Sequence, residues 1–220
     1  MSLREKYGES ITEWEAKQEL EEYGIPTVEE ELAGNPEEAE RIAGRIGLPV
    51  VLKVESGNVK HKTDAGGVRK VHVLENVKKE YENIVESVKN YREDADIRGI
   101  LVEEVLEGDE FIVGISPDPQ FEKVLMFGLG GVYTEVFRDV SFRPLPVSKE
   151  DALEMVEELR SREILEGARG RPEADKEKLA ELLVNISDFA EEKGVRELDK
   201  NPLFIKGKEM KAADALVTPE

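Results

Sequence analysis

Gly47-Leu48-Pro49-Val50-Val51-Leu52-Lys53-Val54-Glu55 is the point at which the hydrophobic period of the chain changes. Just upstream, Asn35-Pro36-Glu37 opens a helix with a capping side chain and a proline in the first turn, and Gly47-Leu48-Pro49 ends it. From Val50 four of five residues are apolar, and the run is bounded by Pro49 and by Ser56-Gly57. A run so short and so apolar predicts a buried strand, here carrying a single charge, Lys53. A helix that feeds directly into a buried strand makes the chain mixed α and β.

The pattern extends outward from there. Ser10 to Tyr23 is a predicted helix, opened by the Thr12…Glu15 capping box and stopped by Gly24 and Pro26. Downstream come a polar loop from Glu55 to Gly67, an alternating strand Val68 to Val73, a helix from an Asn76 cap to about Tyr91, and a buried strand Gly99 to Glu103. Glu110 to Ser116 and Phe121 to Phe127 are neighbouring strands joined by Pro117-Asp118-Pro119, and Gly128-Leu129-Gly130-Gly131 breaks the pattern. Strands resume over Thr134 to Phe137 and Val140 to Pro146, then helices over Ser148 to Ser161 and Asp175 to Lys193, then strands over 195–199, 203–205 and 210–214. Elements alternate early and strands cluster late, so the fold class is α+β with two subdomains and a hinge near Arg98-Gly99.

Composition narrows the functions available. The 220 residues carry 50 acidic and 31 basic side chains, a net charge of -19, which opposes nucleic acid and anionic membrane surfaces as partners. The absence of cysteine removes disulfides, zinc knuckles and thiol nucleophiles, and two histidines remain for imidazole chemistry. Any metal site is therefore built mostly of oxygen. No apolar run reaches the length of a membrane span and the first residues lack a signal-peptide core, so a cytoplasmic location is expected.

Five constellations stand out. Lys53 in an apolar strand needs either an anionic partner, such as a nucleotide phosphate, or a place on an edge strand facing water. The loop Ser56 to Gly67 gathers Lys60, His61, Lys62 and Thr63 into a basic spot on an acidic chain. Its Gly66-Gly67 amides are a candidate phosphate cradle, and His61 is a candidate phosphate acceptor or else a solvated loop residue. Gly130-Gly131 forms a second glycine turn able to contact phosphate, although neither a Rossmann nor a P-loop pattern is present. Glu103 and Glu104 either bond a nucleotide base and ribose or are solvated. Finally, a two-residue turn at Gly207-Lys208 would pair residue 206 with 209, and counting back brings Asn201 opposite Asp214, with Asp199 on the same face. Those oxygens suit a hard cation such as Mg²⁺, against the alternative of a simple turn and a surface charge.

Six stretches taken together resemble one family: Tyr23-Gly24-Ile25-Pro26, Pro49 to Lys53, His61-Lys62-Thr63-Asp64-Ala65-Gly66-Gly67-Val68, Met126 to Gly131, Asp139-Val140-Ser141-Phe142-Arg143 and Glu197 to Leu203. Nearly the whole chain resembles the ATP-grasp (beta) subunit of nucleoside-diphosphate-forming acyl-CoA synthetases, especially the archaeal ADP-forming acetyl-CoA synthetases, relatives of succinyl-CoA synthetase. The resemblance implies an ATP-grasp fold with ATP or ADP between two subdomains, a small one at 27–98 carrying the histidine loop and a second one at 1–26 and 99–220 carrying the metal site. It also implies that Lys53 contacts nucleotide phosphates, that Glu103 and Glu110 lie at adenine and ribose, and that Asn201 and Asp214 hold Mg²⁺. By the same resemblance His61 carries phosphate from a partner-subunit histidine to ADP, and Arg143 is a candidate phosphate clamp. Lys200 departs from the aliphatic residue common there and is expected to face away from the metal. An alpha subunit with the CoA and acyl-phosphate sites is the implied partner, in an α2β2 assembly. The alternatives are a carboxylate ligase acting alone and a nucleotide-binding regulatory module without catalysis.

Overall fold

The computed structural model describes residues 1–59, 61–131 and 138–220, with side chains at all of these except Arg169, Lys200 and Asn201. The chain forms two compact units, one of Val28–Val105 and one of Met1–Thr27 with Leu106–Glu220. The larger unit opens with helices α1 (Leu3–Tyr7) and α2 (Glu13–Glu22), each on a capping box, Ser2 with Glu5 and Thr12 with Glu15. The second box matches the expectation; the first was equally present in the sequence and marks a helix that was not foreseen.

The smaller unit contains β1 (Glu30–Ala33), α3 (Pro36–Ile46), β2 (Val50–Ser56), β3 (Val68–Val71), α4 (Val77–Tyr91) and β4 (Ile97–Glu104). Its antiparallel sheet has the order β1-β4-β2-β3. Val50, Leu52 and Val54 alternate along β2 and are fully buried with Ala39, Ile42 and Ala43 of α3 and Ile84 and Val88 of α4. Each large aliphatic side chain so buried contributes roughly 2 kcal/mol. Asn35 caps α3 as expected, accepting from the Glu38 amide. Asn76 does not cap α4: it closes a 3-10 turn, Leu74–Asn76, with helical dihedrals and no side-chain bond to the helix. The expected hinge at Arg98-Gly99 is also displaced. β4 is an inner strand of the small sheet, paired with both β1 and β2, and the smaller unit runs on to Val105.

The larger unit continues with β5 (Asp109–Asp118), β6 (Glu122–Leu129), β7 (Val140–Pro144), α5 (Lys149–Glu158), α6 (Arg162–Leu165), α7 (Lys176–Lys193), β8 (Val195–Lys206), β9 (Glu209–Ala212) and β10 (Leu216–Pro219). Its antiparallel sheet runs β10-β8-β5-β6-β7, with β9 also paired to β8. Phe111 and Phe127 stack at 5.5 Å in a core closed by Phe189 and its α7 neighbours. The strand expected at Thr134 to Phe137 lies outside the described residues. Where separate strands were expected at 195–199 and 203–205, one strand of 12 residues runs through, and β10 follows it unforeseen. Among the described residues no helix is long and apolar enough to cross a membrane.

Candidate active site

In the smaller unit Lys53 is not on an edge: β2 lies between β4 and β3, and Lys53 is paired to Leu101 on one side and Val68 on the other. Because Val51 opposes Glu103, that carboxylate shares the face of Lys53, away from the aliphatic core. Lys53 Nζ lies 3.0 Å from Glu103 Oε2, with the side chains 14% and 3% exposed. The anion beside this lysine is thus a carboxylate of the chain itself, and Glu103 is engaged with Lys53. On the same face of β2, Lys62 Nζ reaches to 3.7 Å from Glu55 Oε2.

His61 is exposed at the head of the loop that leaves β2. The loop is folded on itself: Ala65 N donates to His61 O at 3.1 Å, Gly66 N to Thr63 O at 3.0 Å and Gly67 N to Lys62 O at 2.7 Å. The Gly66 and Gly67 amides expected to cradle phosphate are therefore occupied within the loop. Gly67 is required for packing, since a Cβ there would lie 2.5 Å from Val54 Cγ1. Lys60 lies outside the described residues.

In the larger unit the second glycine turn meets Glu110. Gly130 N donates to Glu110 O at 2.8 Å, and a Cβ on Gly131, whose φ is 68°, would stand 2.9 Å from Glu110 Oε2. Glycine lets the chain graze β5 here, bringing Glu110, Gly130 and Gly131 together around an exposed carboxylate. Nearby on β5, Asp109 pairs with Arg171.

Arg143, the expected phosphate clamp, is engaged with side chains of this chain. Its guanidinium forks onto Glu158 at 2.7 and 3.0 Å and reaches Glu154 at 3.2 Å, tying β7 to α5. Glu154 and Glu158, four apart, lie on one face of that helix, but nothing local in the sequence sets Arg143 against them. Asp139, read only as part of a motif, is buried and accepts from the Arg160 and Ser161 amides at 2.9 and 2.7 Å. Burial opposes its ionised form, yet those hydrogen bonds hold its pKa below the ordinary value.

The tail bears out the register count. Lys206 pairs with Glu209, the first turn residue Gly207 takes φ 62°, and Leu203 pairs with Ala212. Beyond an interruption the same register resumes with Asp199 opposite Leu216, so counting through sets Asn201 opposite Asp214. Against β5, β8 carries a bulge: Phe111 opposes Leu203 but Val113 opposes Lys200. The extra residue explains how Leu198 and Leu203, five apart, both enter the core. Pro202, with no N–H to offer a ladder, sits in the bulge, the one place a central strand tolerates it. The side chains of Lys200 and Asn201 lie outside those described. Asp214 Oδ1 accepts from Ala215 N at 2.8 Å. Asp199 is open to solvent on one side, yet surrounding protein desolvates its carboxyl and pushes its pKa up. An oxygen-rich set that includes a partly desolvated carboxylate fits a hard cation.

The family model of the ATP-grasp domain matches residues 2–218. The chain belongs to the ATP-grasp family. Among relatives of this ATP-grasp chain, the beta subunit of ADP-forming acetate–CoA ligase I from Pyrococcus furiosus is 44% identical over 198 residues, 88% of this chain and 85% of that one. A solved dinucleotide-forming acetyl-coenzyme A synthetase 1 of Ca. Korarchaeum cryptofilum, in complex with coenzyme A, Ca-AMPCP and HgCl⁺, superposes with a TM-score of 0.90 at 41% identity, covering 99% of this chain and 96% of that one. Another structure of the same enzyme, with coenzyme A and Mg-AMPPCP and its phosphohistidine segment pointing towards the nucleotide binding site, superposes at 0.82 and 38% identity, with the same coverage.

Proposed function

We propose that this ATP-grasp chain is the beta subunit of an ADP-forming acyl-CoA synthetase of the acetate–CoA ligase type, and that it makes ATP by passing a phosphoryl group through His61. The observation that carries the reading is an exposed imidazole at the head of a folded loop, leaving the same strand that presents the Lys53–Glu103 pair, in a chain so close to acetate–CoA ligase beta subunits. In the transfer, the N–P bond of phospho-His61 breaks while a terminal phosphate oxygen of ADP bonds phosphorus. ATP leaves, and the imidazole nitrogen keeps the electron pair of the broken bond. Lys53, oriented by Glu103, stands ready to share its ammonium with phosphate oxygens as charge shifts towards ADP. Glu110 beside Gly130-Gly131 is assigned to the nucleoside.

Asn201, Asp214 and Asp199 would hold Mg²⁺, which when bound supplies charge neutralisation for the phosphates. The phosphoryl group reaches His61 from a histidine of an alpha subunit that holds the CoA and acyl-phosphate sites, in an α2β2 assembly in the cytoplasm. The test is co-expression with the alpha subunit and incubation with acetyl-CoA, ³²P-phosphate and Mg²⁺. Acid-labile label on this chain, discharged by ADP and lost in His61→Ala, is expected. An active wild type that never carries label would mean direct transfer and a structural His61, and label held as an acyl phosphate by the chain alone would mean a stand-alone ligase.

A further inference from the structure

The His61 loop leaves β2 through Ser56-Gly57-Asn58, and Asn58 is bonded through every polar atom it has. Its Oδ1 accepts from Asp96 N at 2.9 Å and lies 3.2 Å from Ser56 Oγ, and its Nδ2 donates to Asp94 O at 2.8 Å. Its backbone N donates to Ser56 Oγ at 3.4 Å, and its backbone O accepts from Arg92 Nη1 at 2.8 Å. The same guanidinium forks onto the Asp94 carboxylate at 2.8 and 3.3 Å. All of these partners except Ser56 belong to the turn that joins α4 to β4, so the clasp fixes the loop's entrance to the body of the smaller unit.

The exit is fixed by a different device. Gly67 O accepts from Val54 N at 2.8 Å, which returns the chain to β2. The hydrogen bonds between these two anchors, from Ala65, Gly66 and Gly67 to His61, Thr63 and Lys62, are internal to the loop. His61 therefore stands exposed between two buried apolar residues, Val59 at 3% and Ala65 at 2% exposure, on a segment whose entrance and exit do not depend on its own internal bonds.

From this we infer that Asn58 and Arg92 are positioning residues for phosphoryl transfer at His61: they hold the pivot from which the loop presents its imidazole. The inference rests on the His61 relay proposed above. Loss of the pivot leaves His61 chemically intact but spreads it over more positions, which lowers its effective concentration at the phosphate.

The test uses this full chain with γ-³²P-ATP and Mg²⁺, running the transfer backwards. The bond between the γ-phosphorus and its bridging oxygen breaks, ADP leaves with the electron pair, an N–P bond forms on His61, and the imidazole proton goes to solvent. Labelling rate, ADP affinity by calorimetry and melting temperature are measured for wild type, Asn58→Ala, Arg92→Ala and Arg92→Lys. Labelling is expected to slow roughly 10- to 100-fold in both alanine variants, with ADP affinity within about twofold of wild type, and to recover in part with lysine. Wild-type labelling rates in both alanine variants would overturn the inference, as would a loss of ADP affinity that matches the loss of rate. If the wild type takes no acid-labile label, or His61→Ala takes as much, it is the relay that fails, and the role of the clasp falls with it.

Discussion

Lys53 and Glu103 form a pair in which either partner is costly to remove alone. With side chains 14% and 3% exposed, taking away the ammonium leaves a carboxylate that water scarcely reaches. Breaking such a pair costs on the order of 3 kcal/mol, whereas replacing both charges can come close to neutral. Lys53→Met is therefore expected to lower the melting temperature and to weaken ADP binding together. Lys53→Met with Glu103→Gln should recover most of the stability and none of the affinity, because only the lysine faces phosphate in the proposed role. Calorimetry on the two variants checks this; recovery of affinity in the double variant would mean that Lys53 serves the fold alone. Sequence could show that Lys53 needed an anion. It could not name Glu103, because the pairing of β2 with β4 joins residues 50 apart along the chain.

At the scale of elements, local rules carried the furthest. The capping box at Thr12, the Asn35 cap and the Gly207-Lys208 turn all act within a few residues, and each stands as expected. What depended on strand order did not come through: β4 as an inner strand of the small sheet, β10 beside β8, and the bulge at Asn201-Pro202 that Leu198 and Leu203 reveal. Arg143 belongs with these, since its place between β7 and α5 follows from how the helix folds back on the sheet. Its partners Glu154 and Glu158 are largely exposed, so Arg143→Gln is expected to cost about 1 kcal/mol by urea unfolding. ADP affinity and His61 labelling should stay at wild-type values. A tenfold loss of ADP affinity in that variant, with stability unchanged, would restore the arginine to the phosphate.

Over the whole molecule the net charge of -19 opposes compaction, so the places where acids meet bases decide how the fold responds to pH. Glu19 is one such place in the larger unit. It is 1% exposed and joins three helices, accepting from Lys193 of α7 at 2.7 Å, from Tyr7 of α1 at 2.9 Å and from Lys6 of α1. Burial alone would raise its pKa; the hydrogen bonds from Lys193, Lys6 and Tyr7 outweigh that and hold it at about 2. Since the folded value lies below the ordinary 4.5, the carboxylate stabilises the fold fully above pH 4.5 and loses its contribution as pH falls from there towards 2. Water reaching Lys6 and Lys193 discounts the effect to on the order of 2 kcal/mol. Glu19→Gln is therefore expected to melt roughly 5 °C below the wild type at pH 7, and the gap should close steadily between pH 4.5 and 2. A gap that stays constant down to pH 2 would mean that the three helices are held together by packing and that the charge of Glu19 contributes nothing.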